Sequence, residues 1–204
     1  MSLAIAIFGK VPAPGKVKTR LAPALGEEGA AALYDAMLAD TVLKIRSLAA
    51  PLELWLTEES PALSERFDVQ VRVQRGGDLG ARMTHAFETL LAEHDAAIIV
   101  GSDIPTLPTH QIQSAMTKLA SGENVLGPTR DGGYYLIGAR TPPSFADVRW
   151  STEHALADTQ ATFSATLLDP WFDVDIPPDL VILRAHLQLW PELAPNTAKL
   201  LARM

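Results

Sequence analysis

An unbroken apolar run from Leu3 to Phe8, closed by Gly9, opens the chain and leads into a loop that no interior could hold. A strand without polar alternation is one buried on both faces, as in a parallel sheet covered by helices. The loop behind it carries Lys10, Lys16, Lys18 and Arg20 among Pro12, Pro14, Gly15 and Pro23, so it is stiffened at some points and freed at others. Open α/β sheets bind ligands just beyond the carboxyl ends of their strands, and four cations on the first such loop point to an anion, above all phosphate. A P-loop is excluded, because five residues separate Gly9 from Gly15 and Val17 follows Lys16 where Ser or Thr would be needed. The competing reading of such a loop is solvated surface, which is weaker for four cations together than for any one.

The rest of the chain alternates helix and strand. From Gly26 to Ala49, Tyr34, Met37, Leu38, Thr41, Ile45 and Leu48 recur at helical spacing, with Asp35, Asp40, Lys44 and Arg46 off that stripe. Leu52–Thr57 reads as a strand, Ser60-Pro61 as a helix start, and Val69–Gln74 as an alternating strand near the sheet edge. Arg75–Gly80 is a turn into a helix with Met83, Ala86, Phe87, Leu90 and Leu91 inward, and Ala96–Val100 is the most buried strand. A helix is expected from Trp150, with Ser151 as N-cap and Glu153 in its first turn; Ala165–Leu168 is a short strand, and a last helix runs through Leu183 and Leu187 toward Trp190. With 204 residues, 48% hydrophobic and 20% charged, and no linker-like tract, residues 1–204 read as a single domain.

Charge and composition exclude several functions. A net charge of -7 argues against a nucleic-acid surface, and the absence of cysteine removes thiolate metal sites and disulfides. No segment is long enough to span a bilayer and no basic n-region precedes the first apolar run, so a cytoplasmic protein is expected. His85, His94, His110, His154 and His186 lack zinc-site spacing. There is no Gly-x-Ser-x-Gly elbow, and Gly76, Gly77 and Gly80 do not make a dinucleotide fingerprint.

Three further stretches carry chemistry. In Gly101-Ser-Asp-Ile-Pro-Thr-Leu107, Asp103 stands just past the central strand, where a carboxylate beside a basic loop can hold a divalent cation against phosphate oxygens; the alternative is a cap for the turn near Pro108. Thr129–Gly138 sets Asp131, Gly132 and Gly133 before an apolar run, as a hairpin turn, as a ligand-facing loop, or as both. Phe172–Leu180 brings Asp173, Asp175 and Asp179, with Asp175 either the cap of the last helix or, with Asp173, a metal candidate.

Together the Lys10–Leu21 loop, Gly101–Leu107, Gly127–Gly138, Trp150-Ser-Thr152 and Asp173–Leu180 resemble the DUF2064 family of glycosyltransferase-A-like proteins. That family is similar to the guanylyltransferase that activates 2-phospholactate and, more distantly, to the molybdenum-cofactor nucleotidyltransferases. The resemblance implies a glycosyltransferase-A fold, an α/β architecture of one mostly parallel mixed sheet flanked by helices. It further implies nucleotide binding by Gly9, Lys10, Lys16, Lys18, Arg20 and Arg82, and a Mg or Mn ion on Asp103 with Asp173 or Asp175. Lys18, Arg20 and Asp103 would be catalytic, and Asp131, Gly132, Gly133, Trp150, Ser151 and Thr152 would face the acceptor. The chain departs from the family pattern at Gly101 and Ser102, where glycosyltransferases often place the first acid of an Asp-x-Asp pair. It also reads Asp175-Ile-Pro-Pro-Asp179 where relatives favour Asp-Thr-Pro-Glu-Asp.

The partners implied are a nucleotide or nucleotide sugar and a small-molecule acceptor. A cation-dense first loop suits a triphosphate, so nucleotidyl transfer to a small phosphorylated or anionic acceptor is the first expectation. Glycosyl transfer from a nucleotide sugar and a non-catalytic nucleotide-binding role are the alternatives. If Asp103 faces Asp173 or Asp175 without a cation, its neutralisation should leave the metal-free protein unchanged or slightly more stable.

Overall fold

The computed structural model describes all 204 residues. Seven strands form one sheet: β1 (Leu3–Gly9), β2 (Leu52–Leu56), β3 (Gln70–Val73), β4 (Ala96–Gly101), β5 (Val125–Pro128), β6 (Tyr134–Ala139) and β7 (Thr166–Leu167). They lie in the order β3-β2-β1-β4-β6-β5-β7. All pairings are parallel except those of β6, which runs against both β4 and β5. The expected mostly parallel mixed sheet is therefore present, with the alternating Gln70–Val73 strand at its edge.

Double-sided burial of β1 follows from its place between β2 and β4. Ile5 and Ile7, with Ile98 and Val100 of β4, face a core completed by α1 (Ala22–Arg46), α2 (Pro61–Phe67) and α4 (Thr109–Ala120). Ala4 and Ala6, with Ala97 and Ile99, face a second core under α3 (Leu79–Leu91) and α5 (Ala155–Thr162). Full burial of Ile5 and Ile7 contributes about 1.5–3 kcal/mol each. A third cluster joins the start of α1 to α6 (Pro177–Leu189) and α7 (Pro195–Leu201). No helix is long and apolar enough to cross a membrane.

Several local expectations hold. Ser60 Oγ accepts the Leu63 N–H at 3.4 Å at the start of α2, and the Arg75–Gly80 turn leads into α3, where the structure adds a cap: the Asp78 carboxylate accepts the Ala81 N–H at 2.8 Å. Along α1, Tyr34, Met37, Leu38, Thr41 and Ile45 are buried, as their spacing predicts.

Other expectations are corrected. Helix α1 begins at Ala22 rather than Gly26, with Pro23 in its first turn and a break at Gly26, whose φ is 74°. Asp40 is not on the solvent face but 3% exposed. Its two carboxylate oxygens accept the Asn196 N–H, the Asn196 Nδ2–H, the Thr197 N–H and the Thr197 Oγ–H at 2.7–3.0 Å, which fastens α7 to α1. Helix α5 begins at Ala155, and Ser151 is not its cap: it sits in the left-handed region, φ 60°, and cannot continue into a helix. Nor does Asp175 cap α6. Asp179, one turn in, accepts the N–H groups of both Asp175 and Ile176 at 2.9 Å, leaving the Asp175 carboxylate free to turn elsewhere.

Candidate functional site

The carboxyl ends of β1 and β4 lie side by side, with Phe8 paired to Gly101, so the basic loop and the Asp103 loop leave the sheet as neighbours. Lys18 joins them. Its side chain is only 6% exposed, and its ammonium donates to Asp103 Oδ2 at 2.9 Å and to Asp175 Oδ1 at 3.5 Å. Burial by itself pulls the Lys18 pKa down; Asp103, then Asp175 and Asp173, outweigh it and hold the ammonium above the ordinary lysine value. The backbone of Lys18 is left-handed, φ 46°, a conformation unusual for a residue with a Cβ and tolerated here where two carboxylates hold the side chain. Arg20, largely exposed, donates to Asp175 Oδ2 at 2.7 Å. The cap alternative for Asp103 fails, since α4 begins at Thr109 with Pro108 at its N-cap position and no side-chain cap.

Asp173 completes the acidic group without a salt bridge of its own. Burial, followed by the charges of Asp103 and Asp131, pushes its carboxyl up to about 6. No three His, Cys, Asp or Glu side chains stand close enough to form a metal cluster on their own. The donor set is all carboxylate oxygen, which suits a hard dication completed by phosphate or water ligands.

Three hollows meet here. A trench of about 290 Å³ runs along Gly9, Lys10, Lys18, Gln74 and Arg82 to Asp103. An outer shelf of about 530 Å³ holds Lys10, Lys16, Arg20, Asp131, Ser151 and Thr152. An inner cavity of about 380 Å³ passes behind Asp103, Asp173 and Asp175 to Gly133, Tyr134 and Trp150. Larger hollows, about 580 Å³ beside β3 and about 650 Å³ between α6 and α7, contain none of the predicted residues. The strand-end position favours the smaller three.

The structure gives several predicted residues a different reason to be there. A Cβ on Gly9 would stand 2.7 Å from the Tyr34 hydroxyl and 3.0 Å from Ser102 Oγ, so this glycine answers to packing as well as to the trench. Gly132, at φ 87°, lines none of the three hollows; a Cβ there would meet the Glu153 carbonyl oxygen at 2.2 Å, and the Gly132 carbonyl accepts the Leu156 N–H at 2.9 Å. Asp131 Oδ1 accepts the Thr129 hydroxyl and, at 3.1 Å, the Gly133 N–H, so it shapes the β5–β6 turn while facing the inner cavity and the shelf. Trp150 packs edge-on against Tyr134, ring centroids 6.3 Å apart, and against Phe145.

Sequence reading missed Tyr34, Lys44 and Gln74. The buried Tyr34 hydroxyl accepts the Lys10 N–H at 2.8 Å and shares a 2.8 Å hydrogen bond with Ser102 Oγ. Lys44 Nζ donates to the Pro105 and Leu107 carbonyls at 2.6 and 2.5 Å, just after Asp103. Gln74 Nε2 donates to the Gly9 and Trp55 carbonyls at 3.0 and 2.7 Å, tying together the ends of β1 and β2. The one available signal was a phenol in a helix stripe made up mostly of Met, Leu and Ile, since a buried Tyr hydroxyl needs a partner.

This sheet, with a basic loop and carboxylates at its strand ends, has the glycosyltransferase-A type of nucleotide-diphospho-sugar transferase fold. The chain belongs to the family described as "Uncharacterized protein conserved in bacteria" (DUF2064), which matches residues 39–152. A Desulfovibrio desulfuricans G20 structure, described provisionally as a nucleotide-diphospho-sugar transferase, shares 33% identity over 100% of this chain and 95% of its own, with a TM-score of 0.89. The 4-diphosphocytidyl-2C-methyl-D-erythritol synthase of Anaerococcus prevotii is similar in fold, at 11% identity over 92% of this chain and 96% of that one, TM-score 0.59. So is the glucosyl-3-phosphoglycerate synthase of Mycobacterium tuberculosis, solved with Mn2+, uridine diphosphate and glucosyl-3-phosphoglycerate, at 10% identity over 95% of this chain and 80% of that one, TM-score 0.52. No curated protein matches the sequence.

Proposed function

We propose that the protein is a nucleotide-using transferase whose donor phosphates lie in the trench between the first loop and α3. The observation that carries this reading is the position of Lys18, buried between Asp103 and Asp175 where the trench, the shelf and the inner cavity meet. Lys10 and Arg82 line the trench and Lys16 the shelf, which gives donor phosphates cations on more than one side. Relatives of the same fold are described with a nucleotide or as nucleotide-derived synthases, which supports the class and leaves the acceptor open.

Asp103 and Asp173 are the residues we assign to a Mg2+ or Mn2+ ion: both oxygens of Asp175 are taken, by Lys18 and Arg20, whereas Asp103 gives only Oδ2 to Lys18 and Asp173 has no cationic partner and is crowded by like charge. When bound, the ion supplies charge neutralisation at the phosphate oxygens. Lys18 then orients Asp103, and Arg20 keeps Asp175 beside it. The four-cation argument for a triphosphate is weaker in three dimensions, since Lys18 and Arg20 are paired with carboxylates, so the number of cations no longer separates nucleotidyl from glycosyl transfer.

The test is nucleotide binding, followed by product. Thermal stabilisation by nucleoside triphosphates or nucleotide sugars with Mg2+ or Mn2+ is expected, at about 2.7 kcal/mol for ligand at 100 times Kd, and should weaken in Lys10→Ala and Arg82→Ala. Released pyrophosphate identifies nucleotidyl transfer, and released nucleoside diphosphate identifies glycosyl transfer. Nucleotide binding unaffected by both trench substitutions would overturn the assignment.

A further inference from the structure

Helix α6 keeps one side in the protein and turns the other to water. Leu180, Leu183 and Leu187 are buried against α1 and α7 in the third cluster. The opposite side consists of Pro178, Val181, Ala185, Gln188 and Leu189, all exposed and none charged. A helix face in solvent ordinarily carries Lys, Glu or Arg. Here Val181 and Leu189, 69% and 67% exposed, are the most exposed large hydrophobic side chains of the chain, and Ile176 and Trp190 are exposed at the two ends of the helix. The adjoining hollow of about 650 Å³ between α6 and α7 extends this surface with Pro191, Pro195 and Ala198, and has Arg184, Glu192 and Lys199 as its charged members. None of these residues lines the trench, the shelf or the inner cavity. An apolar surface of this kind marks an interaction site.

The spacing says what fits it. Val181, Ala185 and Leu189 lie at i, i+4 and i+8 and form one ridge, large at its ends and small at its middle. In a second copy rotated by a two-fold axis so that its α6 runs antiparallel, Ala185 meets Ala185, and Val181 of each copy meets Leu189 of the other. The small central residue lets the helix axes approach to about 8 Å. The ridge is therefore complementary to its own rotated image, as an isologous interface requires. A lipid surface is the poorer match. Helices that lie on membranes carry Lys and Arg along their polar side, whereas α6 has only Arg184, which donates to the Leu201 carbonyl at 3.0 Å, and a net charge of -7 opposes anionic headgroups. The 13-residue helix gives a ridge about 20 Å long, roughly 200 Å2 in projection. A standard interface takes about 800 Å2 from each partner, so the second copy must also cover the hollow between α6 and α7, and the association belongs in the micromolar range.

We propose that the protein forms a two-fold dimer through the outer face of α6, with Ala185 on the axis and Val181 packed on Leu189 of the other copy. The surface lies apart from the strand-end hollows, so the proposal does not depend on the transferase reading.

Sedimentation velocity of the full chain from about 1 to about 200 µM is expected to show a monomer–dimer equilibrium. Ala185→Glu sets two carboxylates against each other on the axis and should weaken association at least about tenfold, while melting at about 1 µM stays as in wild type because the position is exposed. Val181→Glu and Leu189→Lys should each weaken it as well. An equimolar mixture of those two variants should associate more tightly than either alone, since antiparallel pairing brings the new carboxylate of one to the new ammonium of the other. The chain has no cysteine, so Ala185→Cys gives a single thiol that mild oxidation should link into a covalent dimer, whereas Ala120→Cys, exposed at the end of α4, should remain monomeric. A monomer across the whole range, a dimer unchanged by Ala185→Glu, a mixture no tighter than its components, or Ala185→Cys that cross-links no faster than Ala120→Cys overturns the proposal. Flotation with neutral phosphatidylcholine vesicles in place of self-association assigns the face to a membrane and likewise overturns it.

Discussion

The Tyr34 hydroxyl and Ser102 Oγ lie 2.8 Å apart, and this bond fastens the loop that carries Lys10 to the loop that carries Asp103. Both groups are buried, and the phenol also accepts the Lys10 N–H. Burial raises the Tyr34 pKa, with Ser102 and Lys10 opposing that shift, so the hydroxyl stays protonated and able to donate at neutral pH. Tyr34→Phe keeps the ring and removes both bonds. It should cost about 1–3 kcal/mol of stability, and nucleotide affinity should fall through misplacement of the first loop. Denaturant unfolding and calorimetry check this; unaltered affinity with lowered stability would reduce Tyr34 to a core residue.

Removing the Asp103 charge now carries a different expectation for the metal-free protein. Facing carboxylates alone would gain from neutralisation, but the buried Lys18 ammonium needs Asp103 more than Asp103 repels Asp173 or Asp175. Asp103→Asn should therefore lower stability without metal, by about 1–3 kcal/mol, and abolish metal-dependent stabilisation by nucleotide. A melting temperature at or above wild type in chelator would contradict the ion pair.

Lys44 supplies a pH signature. Burial, partly offset by Asp40, lowers its pKa to about 8 from 10.5. The burial penalty is therefore full below pH 8. As pH rises from 8 toward 10.5, the folded state releases a proton that the unfolded chain still holds, so this group's contribution to stability increases. The difference in unfolding free energy between wild type and Lys44→Met should shift in favour of wild type across that window, by about 3 kcal/mol at most. A difference independent of pH would mean that the Pro105 and Leu107 carbonyls hold the ammonium fully charged.

Gly132→Ala should be severe for a residue so near the surface. The new Cβ would overlap the Glu153 backbone in a left-handed conformation, and the Gly132 carbonyl also receives the Leu156 N–H at the start of α5. A loss of about 2 kcal/mol or more is expected. Urea denaturation that shows less than half of this loss would indicate that the turn relaxes freely.

The amino-acid sequence by itself determined the architecture. Double-sided hydrophobicity in Leu3–Phe8 and Ala96–Val100 required a covered sheet, and strand-end punctuation put Lys10 and Asp103 at the same edge. Local capping was legible at Ser60, because a cap depends on residues three positions apart. Only the tertiary structure decided who partners whom. Lys18 meets Asp103 and Asp175 across sequence separations of 85 and 157 residues, and periodicity carries no information about such pairs. Asp40 and Lys44 read as solvent-facing since charge on a helix ordinarily is, yet each found a polar partner in the interior from a distant loop or helix terminus. Asp175 was the cap on paper, but Asp179 accepts the N–H groups at the start of α6 while the Asp175 carboxylate turns to Lys18 and Arg20. Helix, strand and turn follow from residues a few positions apart; a site is made where long-range packing brings together groups whose charges would otherwise stay in water.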